Sequence, residues 1–140
     1  MKQANKKGKN NKTGALGEEI AVTYLQKKGF SVIEKNYLKK WGEIDIVARE
    51  TTDGGEKVRF VEVKAVSYET KQELNKAISR GTWRPEENVH FKKLQRLNRA
   101  IESWIMDNNY DGDWEIDVIA VRLVTREKYA SVKYIPGVVL

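Results

Sequence analysis

Asp45, Glu62 and Lys64 are the residues of this chain whose types and spacing could do chemistry. Each is a charge set inside an apolar, strand-like run: Glu43-Ile44-Asp45-Ile46-Val47-Ala48 and Lys57 to Val66. Side chains alternate faces along a strand. Glu43, Asp45 and Val47 are therefore expected to point one way, and Ile44, Ile46 and Ala48 the other. In the second run Phe60, Glu62 and Lys64 share a face, and Val61 and Val63 share the opposite one. Charges so placed are costly unless they are paired or bound to metal. Two carboxylates can hold a divalent cation through oxygen, and the backbone carbonyl of Val63 could be a further ligand. Such a cation polarises a phosphoryl oxygen and lowers the pKa of a bound water. Lys64 would orient that water or offset charge developing on the phosphorus oxygens. The competing reading is an Asp–Lys or Glu–Lys cross-strand pair on a solvated sheet face.

Composition narrows the choice of metal. There is no cysteine and one histidine, His90, which argues against thiolate and histidine-rich zinc sites. Oxygen ligands favour magnesium or manganese. Hydrophobic residues make up 40% and charged residues 33%, as suits one soluble domain with an ordinary core. No apolar run approaches the roughly 20 residues needed to span a bilayer, so no membrane partner and a cytoplasmic location are expected. The net charge is +6, yet the five lysines Lys2, Lys6, Lys7, Lys9 and Lys12 leave +1 for everything after them. A basic body is thus no argument for nucleic-acid binding. Residues 1–12 read as a disordered basic tail, either solubilising or in contact with phosphates. Residues 13–140 read as a single domain.

The elements that must position the three charges follow in order. Thr13 is a plausible cap for a helix over 14–28 that carries Ala21 and Leu25, ended by Gly29. Phe30 to Glu34 alternates like a short strand. The two charged runs flank the turn Thr51-Thr52-Asp53-Gly54-Gly55-Glu56 and should form an antiparallel hairpin. Residues 67–85 are polar and without a clear period, and so long an irregular segment is usually functional or mobile. Pro85-Glu86-Glu87 looks like the first turn of a second helix, with Leu94, Leu97, Ile101, Trp104 and Ile105 on its apolar face and Asn108-Asn109 as its stop. Trp114 to Thr125 and Tyr129 to Ile135 read as a hairpin. Glu115-Ile116-Asp117 echoes Glu43-Ile44-Asp45, which we read as similar alternation and not duplication.

Asp45, sixteen intervening residues, then Glu62-Val63-Lys64 resembles the PD-(D/E)xK nuclease motif, with Ile44 where many members have proline. A longer set resembles the YraN-like family of small bacterial proteins: Gly14-Ala15-Leu16-Gly17-Glu18, Gly42-Glu43-Ile44-Asp45, Phe60-Val61-Glu62-Val63-Lys64, Asn88-Val89, Lys93, Arg96-Leu97 and Asp117-Val118. The resemblance covers roughly residues 13–124. It implies a restriction-endonuclease-like αβββαβ core, α/β in class, with a mixed central sheet flanked by helices and an added C-terminal strand. The fold would be similar to that of archaeal Holliday-junction resolvases. By the same resemblance Glu18 matches a first-helix acid of those resolvases; otherwise it answers the helix dipole. Glu43 is either an acid supporting the metal ligands or an ordinary strand-start residue. After Lys64 the chain departs from the family pattern: Ala65-Val66 and a longer segment, Ser67 to Arg84, replace a basic residue and a short glycine-bearing loop.

Substrate contacts are then sought around the site. Trp41 and Trp83 could stack on unpaired bases or simply pack. Lys92, Lys93, Arg96 and Arg99 form a basic helix face that is either solvated or in contact with phosphates. Three functions compete. One is a magnesium- or manganese-dependent endonuclease cutting DNA, including branched or damaged DNA. Another is a nucleic-acid-binding module that keeps the fold with little or no cleavage. The third is a structural or adaptor protein, against which the complete set of Asp45, Glu62 and Lys64 argues. Dimer formation is left open by the sequence.

Overall fold

The computed structural model describes residues 2–80 and 91–139, with side chains described over 12–80 and 93–139. Helix α1 (Lys2–Lys27) leads into three strands, β1 (Ser31–Lys39), β2 (Gly42–Thr52) and β3 (Gly55–Ser67). Two helices follow, α2 (Lys71–Ser79) and α3 (Phe91–Asp107), then β4 (Asp113–Val124), a short 3-10 turn (Thr125–Glu127) and β5 (Tyr129–Ile135). The strands form one sheet in sequence order, β1-β2-β3-β4-β5. Every neighbouring pair is antiparallel except β3 and β4, which run parallel from Lys57↔Asp113 to Ser67↔Leu123. A parallel pair needs a long crossover, and α2 with α3 supplies it. The expected mixed sheet between helices, with the added last strand, is what the chain forms.

Each face of the sheet has its own core. On one, Ala21 and Leu25 of α1 pack against Ile46, Ala48, Val61, Ile119, Val121 and Leu123. On the other, Leu97, Ala100, Ile101 and Trp104 of α3 pack against Tyr37, Ile44, Val47, Val58, Phe60 and Ile116. Of the stripe expected from spacing, Leu97, Ile101 and Trp104 are buried here, Ile105 is partly buried against them, Leu94 is half-buried outside this cluster, and Ala100 is added. Gly29, at φ 94°, ends α1 in the left-handed conformation that glycine adopts at no steric cost. Gly42 is required for a different reason. A Cβ there would stand 1.9 Å from the Arg96 carbonyl oxygen, so only glycine lets the β1–β2 turn close against α3.

Three boundaries differ from the sequence expectation. β1 runs to Lys39, through Tyr37, whose ring is buried in the α3-side core. The backbone of α1 is helical from Lys2, so Thr13 lies inside the helix and is not its cap. A helix already nucleated by its packed half extends without a further nucleation cost. Third, the polar stretch after Ser67 contains α2. Thr70 caps it, accepting from the Glu73 N–H at 3.1 Å, and Leu74 is its buried anchor. Thr70-x-x-Glu73 is a capping-box pattern, a signal present in the sequence but short of apolar periodicity. The expected helix start at Pro85 lies outside the described residues.

Candidate active site

The β2–β3 ladder runs from Thr52↔Gly55 to Ile46↔Val61 and stops there. Asp45, the next residue along β2, parts from β3 and reaches across with its side chain: the Val63 N–H donates to Asp45 Oδ2 at 2.8 Å. This parting shifts the side-chain alternation. Ile44 and Val47 lie in the α3-side core, while Ile46 and Ala48 lie in the α1-side core. The expectation that Ile44 would share a face with Ile46 is therefore corrected: the alternation breaks between them, at Asp45. Opposite it on β1, Asn36 falls between the pairs Lys35↔Ile46 and Tyr37↔Ile44, with a left-handed φ of 54°. Asparagine tolerates that region better than most residues. With its amide nitrogen turned toward α1, Asn36 donates to both Glu18 carboxylate oxygens, at 3.2 and 3.3 Å.

β3 keeps strict alternation through the site. Val61 and Val63 belong to the α1-side core, as expected, and Phe60 faces α3. Glu62 is 4% exposed. Its Oε1 lies 2.5 Å from Lys93 Nζ, reaching down from the start of α3. Lys64, two residues further along the strand, is in hydrogen-bond contact with the same Lys93 amine. The site thus contains two lysines at its acids, one on the strand and one on the helix.

The electrostatics follow from this crowding. Burial, then the charge of Glu62, pushes the Asp45 carboxyl up to about 8; Glu18 and Glu43 add to the shift, and the Val63 N–H opposes it. Burial, opposed by the Asn36 hydrogen bond and helped by Glu43, also raises Glu18. Burial and the neighbouring Lys93 lower the pKa of Lys64. For Lys93, burial works against the charge, but the hydrogen bond and charge of Glu62 outweigh it and raise its pKa.

These residues fit a hard divalent cation. Asp45 and Glu62 offer carboxylate oxygens. A strand residue turns its N–H and C=O toward the same edge, so the Val63 carbonyl lies on the edge its N–H shares with Asp45. Two carboxylates crowded enough to hold one near pH 8 are the donor set a cation relieves. Among the described residues no three acidic, histidine or cysteine side chains converge on one point, so water would fill the rest of the shell. That suits magnesium or manganese, which keep several waters.

The remaining expected site residues lie around this centre. Glu43 is exposed, and its charge reaches Asp45 and Glu18. Trp41 is 43% exposed and its indole N–H donates to Ser103 Oγ at 2.8 Å, which lays it against the side of α3. Arg96 is exposed on that helix. Trp83 lies outside the described residues. Lys93, expected as a phosphate contact, is paired with Glu62. Asn36 was not singled out by its sequence context; an asparagine inside a strand-like run was the available signal, because it marks a left-handed position.

Fold and site define a mixed α/β protein with the αβββαβ core of restriction-endonuclease-like proteins. This chain belongs to the family described as "Uncharacterised protein family UPF0102", whose model matches residues 17–121. The YraN-like resemblance is thereby borne out. The chain is 34% identical over 121 residues to a UPF0102 protein of Alkaliphilus oremlandii, covering 84% of this chain and 91% of that one. It is 35% identical over 104 residues to one of Thermotoga petrophila, covering 74% and 81%. A Campylobacter jejuni UPF0102 protein is 32% identical over 111 residues, covering 78% and 82%. The matched span includes Glu18, Asp45, Glu62, Lys64 and Lys93. No helix among the described residues is long and apolar enough to cross a membrane.

Proposed function

We propose that this chain is a magnesium- or manganese-dependent endonuclease that hydrolyses phosphodiester bonds in DNA, branched or damaged DNA included. The observation that carries the reading is the meeting of Asp45 and Glu62 across a ladder that opens at that point, with Lys64 beside them. When bound, the cation supplies Lewis-acid polarisation of the phosphoryl group and a more acidic water. Asp45, Glu62 and the Val63 carbonyl hold it. Glu18, fixed by Asn36, adds negative charge on the α1 side. Lys64 offsets charge growing on the phosphorus oxygens, and its lowered pKa makes it a readier proton donor to the leaving oxygen. Arg96 and Trp41, exposed along α3, are the contacts for the backbone and for an unpaired base.

One observation favours a binding module without cleavage: Lys93 already pairs with Glu62, so one of the two acids is neutralised without a metal. Lys64→Ala separates the readings. In a nuclease it should cut the cleavage rate roughly 10²–10³-fold, as loss of a transition-state donor does, while DNA affinity stays within a few-fold. A panel of linear, nicked, flapped and four-way DNA with manganese measures the first, and fluorescence anisotropy the second. A wild type that cuts none of these, with a Lys64→Ala variant that only melts earlier, would end the nuclease reading.

The lysines ahead of Thr13 act through charge alone in this scheme. Deleting residues 1–12 removes five of them and no acid. The thermal midpoint should hold, DNA binding should weaken, and its salt dependence should flatten, the slope falling by up to about 4. Unchanged affinity and slope would make the segment a solubiliser only.

A further inference from the structure

Lys93 is placed where a metal site has no obvious use for a cation. It comes from α3, not from the strands that carry the motif, and its amine meets Glu62 Oε1 at 2.5 Å. It also touches the Lys64 amine, so two like charges meet beside one buried glutamate. The Glu62 side chain is 5% exposed and the Lys93 side chain 43% exposed. The acid is therefore fixed in the sheet, while its partner has room to leave. We propose that Lys93 is a tethered counter-cation: it neutralises Glu62 in the metal-free protein and must be displaced when a divalent cation bridges Asp45 and Glu62. This rests on the metal-dependent reading and deepens it.

The physical case is one of competition for the same oxygen. Without metal, Asp45, Glu62, Glu18 and Glu43 crowd one another, and the Lys93 ammonium touches Glu62 directly. An acid of that burial left unpaired would be costly. A divalent cation carries twice the charge, and an ammonium beside it is repelled in turn. Lys93 has four flexible carbons and an exposed route outward, so it can release Glu62 without moving the strand. The device keeps the site ordered without metal at the expense of cation affinity.

Titration calorimetry of the full chain with manganese alone tests the inference, comparing wild type, Lys93→Met, Lys93→Arg and Asp45→Asn. Lys93→Met should bind manganese roughly tenfold more tightly than wild type, because a like charge is removed from the site. Lys93→Arg should stay near wild type, and Asp45→Asn should bind none. A second measurement avoids dependence on a folded variant. In wild type with ¹³C-labelled lysine side chains, diamagnetic magnesium should move the Lys93 ε-methylene signal to the position of solvent-exposed lysines, and Asp45→Asn should abolish the change. Manganese binding that needs Asp45 but is equal or weaker in Lys93→Met, with a fixed Lys93 signal, overturns the counter-cation while sparing the metal site. Absence of binding in both wild type and Lys93→Met overturns the metal-dependent reading itself, and the counter-cation with it.

Discussion

Asp45→Asn is expected to raise the thermal midpoint of the metal-free protein at pH 7 while removing its affinity for divalent cations. The Asp45 carboxyl is pushed from the usual 3.8 up to about 8 by burial and by Glu62. Between those values the folded protein holds a proton that the unfolded chain has released. Stability therefore falls as pH rises from about 4 to about 8, because the native state binds more protons there. Asparagine carries no such linkage, and its amide oxygen can still accept the Val63 N–H. The gain at pH 7 should be about 1–3 kcal/mol, below the full linkage value because crowded acids share the strain. For a chain of this size that is on the order of 3–10 °C. Melts in EDTA at pH 5 and pH 7 should show the gap between variant and wild type widening with pH. Added manganese should then stabilise wild type and leave Asp45→Asn unmoved. A variant that melts earlier at both pH values would mean that an ionised Asp45 is stabilised by its surroundings, and the strain argument would fall.

Such a result would identify the residue at which stability is traded for function. The same logic explains why the site was legible early. Charged residues in Ile44-Asp45-Ile46 and Val61-Glu62-Val63-Lys64 violate the apolar pattern around them, and such a violation marks a candidate site. The hairpin that joins them was legible from its turn, and α3 from Leu97, Ile101 and Trp104. What stayed hidden was non-local or short. The slip of faces at Asp45 arises because β2 leaves β3 there, a tertiary event that strict two-residue alternation cannot announce. The Lys93–Glu62 contact joins residues on different elements and is invisible to spacing along either one. Helix α2 has one buried side chain, Leu74, too little for a periodic signal, so its capping pattern was the sole clue.

The echo between Glu43-Ile44-Asp45 and Glu115-Ile116-Asp117 shows how far a pattern underdetermines chemistry. Both place an acid within an apolar strand. Asp45 meets another acid, while Asp117 meets Arg59 Nη1 at 3.1 Å, the Tyr134 hydroxyl at 2.7 Å and the Gly137 N–H at 3.1 Å. Every donor that Asp117 needs is within the protein, so this carboxylate is a structural one. The difference lies in strand neighbours. β4 is central, between β3 and β5, and a residue of each reaches Asp117.

Arg59→Ala is accordingly expected to cost about 3–5 kcal/mol, the penalty for leaving a buried acid without its cation. Arg59 Nη1 also meets Glu115 at 2.8 Å, while Nε and Nη2 meet Glu50 Oε2 at 3.0 and 2.8 Å. One guanidinium thus joins β2, β3 and β4, and burial of its charge is outweighed by Glu50 and Asp117, which raise its pKa. Asp117 is fully buried and cannot turn to water when the arginine is gone. The thermal midpoint should fall by more than 10 °C, a large loss for a domain of this length. Adding Asp117→Asn to an Arg59→Met background should recover part of it, since the unpaired charge is then removed as well. A single variant that loses under 1 kcal/mol, or a double variant no better than Arg59→Met alone, would show the cluster to be ornamental. Arg59 lies three residues before Glu62 and points to the opposite face, toward Phe30. Its loss should therefore leave any cleavage per folded molecule unchanged well below the midpoint, which distinguishes a residue that holds the sheet from one that would act in the proposed reaction.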